Sequence, residues 1–321
     1  MNRPQESTTR ATPLKAYFVI LVAIVATSSA AILIRYALDE TMPPLMIAAS
    51  RLAVATVALT PLAIRGYRDQ MARLSRAEWL LILISGICLA IHFTAWVSSL
   101  QHTTVLVSVV IVSTGPIWVA ILEVFFLKIR LSRLVVAGLL TALAGGVLIG
   151  IPLGGNALQA AQTAEDLSAT ATGGILAWIG ALSISVYMLI GRKLRATLPV
   201  IPYVWLVYGT ASVCAVAVMI ATQTPAIGFR AQGYLILLAM GLIPQLVGHS
   251  SLNYLLEYFP AAIVSMFSQL EPIGSAILAL ALFRELPPDQ QIAGSVIIII
   301  GVILASRGEI RQMEHGKQDE A

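Results

Sequence analysis

Apolar residues in this chain run in long, nearly unbroken blocks, with polar residues confined to what lies between. Ten blocks are recognisable, at roughly 16–37, 45–64, 79–100, 104–127, 133–151, 174–191, 200–221, 232–256, 261–283 and 290–306. At about 20 residues each they have the length an α-helix needs to cross hydrocarbon. Most links are short and turn-forming, such as DETMPP (39–44) and RELPPD (284–289). The pattern predicts an all-α membrane protein with ten transmembrane helices. The first block follows Arg3, Arg10 and Lys15 as a signal peptide would, but it is too long for a cleaved leader and further spans follow, so it reads as a retained helix. The longest link, 152–173, splits the chain into a first half (1–151), an extracytoplasmic linker (152–173) and a second half with a cytoplasmic tail (174–321).

Composition supports this reading. Hydrophobic residues make up 58% of the chain and charged residues only 11%, less than half the charge of a soluble domain. The net charge of +4 carries no nucleic-acid signal, because the basic residues sit in short links where they orient helices. With the N-terminus placed in the cytoplasm, sixteen of the twenty lysines and arginines fall on that side. Only Arg230 and Arg284 fall outside, and Arg35 and Arg51 lie within spans. Both termini are then cytoplasmic, in the inner (plasma) membrane of a bacterium. Cys88 and Cys214 lie inside apolar blocks and form neither a disulfide framework nor a metal spacing. No HExxH and no GxxxxGK[ST] motif occurs, so no metal, cofactor or nucleotide motor is expected. The expected partners are the lipid bilayer and a small-molecule substrate; a monomer and a homodimer both remain open.

The two halves repeat one another. GPIWVAIL (115–122) and EPIGSAIL (271–278) match at Pro, Ile, Ala, Ile and Leu under a shift of 156, and the same shift carries Gly138 to Gly294 and Gly145 to Gly301. Five helices per repeat is an odd number, so the second copy inserts upside down. The charges agree: Lys128–Arg133 is inside and its counterpart, 284–289, is outside. Two inverted five-helix repeats are a transporter signature, with the substrate site near the midplane where the repeats meet.

These features together resemble the EamA type of the drug/metabolite transporter superfamily. The residues that carry the resemblance are Arg51 in AASRLAVA, the proline-centred STGPIWVAILEVFFLKIRLS and QLEPIGSAILALALFREL, and the glycines of AGLLTALAGGVLIG and AGSVIIIIGVILAS. The resemblance implies ten helices, cytoplasmic termini, a central cavity lined mostly by helices 3, 4, 8 and 9, and secondary transport, often export, of amino acids, nucleobases, other metabolites or drugs. The chain departs from the pattern at Ile129, where a glutamate is usual after the fourth helix. It keeps the second copy of that glutamate, Glu285.

Chemistry-bearing residues inside the spans are few. Glu271 lies near the middle of the ninth block, where a carboxylate costs at least roughly 2.5–3.5 kcal/mol. It is expected either to carry the coupling proton or to be a structural carboxyl beside Pro272. Pro116 and Pro272 each remove an intrahelical hydrogen bond. The carbonyls they free serve as binding groups or the kink merely aids packing. His249 and Asn253 are four apart on the eighth block, as are His92 and Trp96 on the third, so each pair shares a face. These four, with Gln269, are cavity candidates, and each histidine is alternatively a packed hydrogen-bond donor. Arg51 is expected to pair with Asp39 or Glu40 at the outer rim, with a substrate carboxylate as its alternative partner. Arg35 is expected to snorkel to the surface. Glu123 is expected to reach Lys128 or solvent, with a gate role as the lesser alternative. Ser28, Ser29, Ser183, Ser185 and Tyr187 are further donors that also suit helix contacts.

The function that follows is a secondary transporter of a small metabolite, an amino acid or related compound, working as a proton-coupled exporter and not as an enzyme. The alternatives are an efflux carrier for drugs or cationic compounds, an intramembrane enzyme, and a passive channel.

Overall fold

The structure, a computed structural model, describes residues 14–103, 105–150, 164–284 and 286–319. Arg3, Arg10, the first part of the central linker and Glu285 lie outside the described residues. Among those described there is no strand. Within the described residues nine helices are long and apolar enough to cross a membrane, and a shorter apolar one, Arg133–Ile149, makes the tenth. In chain order the spans are α1 Leu14–Asp39, α2 Pro44–Ala72, α3 Arg76–His102, α4 Val110–Leu127, α5 Arg133–Gly150, α6 Ala164–Arg195, α7 Val200–Ala221, α8 Ala231–Leu255, α9 Ala261–Phe283 and α10 Asp289–Asp319. We call the end where α1 begins and α10 finishes proximal, and the other end distal.

Local chemistry sets several boundaries. Pro44 opens α2 at a position where its missing N–H costs nothing. Ser75 and Glu78 form a reciprocal capping box at the start of α3. Lys128 and Arg284 finish α4 and α9 in the left-handed conformation, with φ of 54° and 57°, and they are counterparts under the shift of 156. The polar stretch expected as linker is helical from Ala164 onward. The reason is that AEDLSATA is polar but rich in good helix formers, and hydropathy alone does not see it.

The halves are interwoven rather than side by side. The first helix of each repeat packs on the third and fourth helices of the other: α1 on α8 and α9, α6 on α3 and α4. One hydrogen bond occurs twice. Ser28 Oγ on α1 donates to the Glu271 carbonyl (3.2 Å), and Ser185 Oγ on α6 donates to the Gly115 carbonyl (3.2 Å). α5 and α10 meet along their glycines. A methyl group on Gly138 would stand 2.6 Å from the Gly301 carbonyl oxygen, and one on Gly145 2.6 Å from that of Gly294. Gly138 is the counterpart of Gly294 and Gly145 of Gly301. The two contacts therefore exchange with one another when the repeats are swapped, as a two-fold axis between antiparallel helices requires.

Candidate functional site

The site is built around two broken helices. The first part of α4 stops after Val112 and resumes at Gly115; α9 stops after Ser268 and resumes at Glu271. Each stop falls at the residue four before a proline, Pro116 or Pro272, whose ring excludes that carbonyl. Tighter three-residue turns bridge the gaps: Thr114 N–H to the Ile111 carbonyl and Ile117 N–H to that of Thr114, Leu270 N–H to that of Phe267 and Ile273 N–H to that of Leu270. The breaks face each other. Gln269 Nε2 donates to the Ser113 carbonyl at 2.7 Å, and these residues are 156 apart, hence each other's counterparts.

Beside the α9 break lies a polar cluster drawn from five helices. Arg51 on α2 is 3% exposed. Its Nε donates to Gln245 Oε1 on α8 (2.8 Å), and its guanidinium sits over the Phe93 ring of α3 at 4.2 Å. Glu271 on α9 is half-buried and attracts Arg51 electrostatically; Thr27 of α1 lies beside its carboxyl. The pairing of Arg51 with Asp39 or Glu40 is not found. Arg51 lies two turns below the helix start and turns inward, and Glu40 instead faces Arg230 at 3.9 Å. Among the described residues, Arg51 Nη2, Gln245 Nε2 and Trp96 Nε1 are buried donors with no acceptor. A buried donor left unpaired costs about 1–3 kcal/mol, so the arrangement favours a ligand that brings acceptors.

The aromatic wall is continuous with this cluster. His92 Nδ1 donates to the Gly180 carbonyl on α6 (2.9 Å). Its ring stacks on Trp96 (6.3 Å between centroids, 10° between planes) and tilts against Phe93 (4.9 Å). His249 meets Phe93 edge to face at 5.8 Å. Asn253 lies apart from the cluster's open donors. Its amide is shared among Tyr187, Tyr208 and the His249 carbonyl, which ties α6, α7 and α8 together. Pro116 is buried at the α4 break.

Glu123 does not reach Lys128 or solvent. It is fully buried, and its two carboxylate oxygens accept from the N–H groups of Ala261 (2.6 Å) and Ala262 (2.9 Å), capping the proximal end of α9. Nearby, Arg195 pairs with Glu257 at 2.6 Å and donates to the Asn253 carbonyl, and Arg192 donates to that of Leu256. Arg35 is exposed, and lies over the Phe283 ring at 4.6 Å.

Sequence reasoning missed Gln245 and Phe93, which carry no motif. It also missed a legible signal: His92 and His249 are counterparts under a shift of 157, as are Trp96 and Asn253, and Ser28 and Ser185. One extra residue between the third and fourth helices of the repeat hides this from a search at 156.

Broken inverted-repeat helices that cross around a buried polar cluster define an integral, multi-pass membrane protein of the transporter class. The model of the EamA-like transporter family matches residues 14–151 and again 171–307, and the chain belongs to that family. Its two matched segments are the two repeats, and membrane transport is the family's common activity. No curated protein matches the chain. A solved structure, described only as "Crystal structure of protein", has the same fold with a TM-score of 0.74. It is 20% identical, over 94% of this chain and 99% of that one.

Proposed function

We propose that the protein is a secondary transporter that exports a small metabolite, an amino acid or a related compound, in exchange for protons, with Glu271 as the coupling carboxylate. The observation that carries this reading is the half-buried Glu271 carboxyl at mid-span, within the field of a buried arginine that still has donors to spare. Arg51 Nη2 and Gln245 Nε2 suit a substrate carboxylate, and Trp96 and His92 offer a flat wall to a side chain. A protonated Glu271 leaves Arg51 free for the substrate; an ionised one competes for it. Proton and substrate would thus alternate at one place, which is what antiport needs. Export from a bacterial inner membrane, with the proximal end cytoplasmic, rests on the sixteen-to-two distribution of basic residues.

The test is substrate flux in proteoliposomes with and without an imposed pH difference. Glu271→Gln keeps the shape and part of the hydrogen bonding but does not titrate. It is expected to fold, still exchange substrate, and lose accumulation driven by the pH gradient. Full pH-driven accumulation by Glu271→Gln would remove the coupling role. Orientation is tested separately: Asn156→Cys should react with an impermeant thiol reagent from outside the cell and Arg73→Cys should not.

A further inference from the structure

The two repeats part company where α8 passes Arg51. Gly86 of α3 and Gly241 of α8 hold equivalent places. A methyl group on Gly86 would overlap Thr210 and crowd the Val207 carbonyl on α7, and one on Gly241 would overlap Val54 and crowd the Arg51 carbonyl on α2. Val207 is the counterpart of Arg51, and Thr210 of Val54, under the shift of 156, whereas the glycines are 155 apart. From Gly86 to His92 is six residues, and from Gly241 to His249 is eight. α3 is α-helical throughout Arg76–His102, but Gly241–His249 of α8 is wound as a π-helix. A π turn is bonded five residues apart where an α turn is bonded four, so about two such turns take in the two extra residues.

The longer stretch carries the group that holds Arg51. Between its glycine and its histidine α3 has only Ile87, Cys88, Leu89, Ala90 and Ile91, and Val207, the counterpart of Arg51, is apolar and fully buried. In α8 the same interval holds Gln245, fully buried, whose Oε1 accepts from Arg51 Nε at 2.8 Å. A guanidinium offers a carboxylate two forks, one along Nε and an Nη nitrogen and one across the two Nη nitrogens. Gln245 occupies Nε and so closes the first fork, while the Phe93 ring lies under the guanidinium. Arg51 and Glu271 attract each other, yet Nε is bonded to the neutral amide, and Nη2 stays without an acceptor.

We infer that Gln245 is a positioning residue. Carried by the π stretch of α8, it holds Arg51 by Nε, keeps it from closing a side-on bidentate pair with Glu271, and leaves Nη2 to a carboxylate ligand. The inference rests on the reading of Arg51 as the partner of the substrate. It also gives the departure of α8 from α3 a role, because the π turns lie where the second repeat alone meets a buried arginine.

The experiment is a double-mutant cycle of melting temperatures on the full-length protein in detergent, without ligand. Gln245→Met keeps the length of the side chain and removes the amide acceptor, so Arg51 is expected to turn to Glu271 and the fold to depend on that pair. Glu271→Gln alone should move the melting temperature by no more than about 3 °C, and on the Gln245→Met background it should lower it by at least about 5 °C more. Gln245→Glu is the conservative control. Its carboxylate keeps Nε engaged, and adding Glu271→Gln there should lower nothing, since it also removes a repulsion between two carboxylates. Additive losses in the Gln245→Met cycle would overturn the inference, because Gln245 would then merely fill space. So would a loss on the Gln245→Glu background as large as on Gln245→Met. If Gln245→Met does not fold, the Gln245→Glu cycle decides alone: no added loss supports the inference and a large one overturns it. The cycle uses neither ligand nor gradient, so its failure leaves proton coupling by Glu271 standing, and failure of the coupling role in the flux assay leaves the cycle standing.

Discussion

Two carboxylates within the spans sit on equivalent helices of the two repeats, and their surroundings differ completely. Glu123, near the proximal end of α4, has both oxygens satisfied by successive backbone amides at the start of α9. A helix N-terminus with its free N–H groups and positive end is a site where a carboxylate is stable without a proton or a cation. Glu271, in the middle of α9, has no such amides around it. It faces Thr27 and an arginine already bonded elsewhere, and it is partly exposed. The comparison separates two uses of the same group. The first carboxylate locks α4 to α9 at one end of the bundle, and the second is left able to change partners.

The largest effect that would break this comparison is on stability. Glu123→Ala removes a charged acceptor from two amides. At about 1.5–3 kcal/mol for each such bond, it should cost about 3–6 kcal/mol, seen as a sharp loss of monodisperse protein and a lower melting temperature in detergent. Glu271→Gln should stay within about 1 kcal/mol of wild type in the same melt. If the two variants melt alike, the distinction between lock and site collapses.

Next in size is binding. Arg51→Gln should weaken substrate binding at least about tenfold, roughly 1.4 kcal/mol, read from the substrate-induced rise in melting temperature. Arg195→Ala, which breaks the proximal pair with Glu257, should lower the melting temperature itself but leave that rise unchanged. Trp96→Ala and His92→Ala should also reduce the substrate-induced rise more than they reduce folded yield, and His92→Ala should cost about 1 kcal/mol for its bond to Gly180. The smallest effect belongs to the distal rim. Arg230 is 83% exposed and 3.9 Å from Glu40, so Arg230→Ala should change stability by less than about 0.5 kcal/mol. A large loss there would mean the distal end is latched as firmly as the proximal one.

The architecture was readable from the sequence because its causes are local. Block length, the odd helix count, the paired prolines and the paired glycines all report on single helices, and the helix breaks fall where Pro116 and Pro272 require. Glu271 was readable for a similar reason, since a carboxylate in hydrocarbon stands out alone. Arg51, Asn253 and Glu123 were placed with less success. Arg51 turns inward to Gln245, Asn253 is taken up by two tyrosines, and Glu123 caps a helix 138 residues further on. Such partners lie on other helices at no fixed spacing, so only the packed fold reveals them. Ala164 to Gly173 shows the converse error, because polarity was read as irregular structure where the backbone is helical.

The exchange of first helices between the repeats also bears on how the protein is made. Ser28 and the carbonyl it binds are 243 residues apart. At about 5–20 residues per second, α1 waits on the order of 10–50 s in the membrane before the helix it crosses has been synthesised. During that interval the face of α1 destined for α8 and α9 is open to lipid, and the first half has no complete interior of its own. Contacts this remote in sequence form late and favour slow, concerted assembly. The five-helix repeat is therefore a unit of the sequence but not a unit of folding, and the chain commits to both halves together.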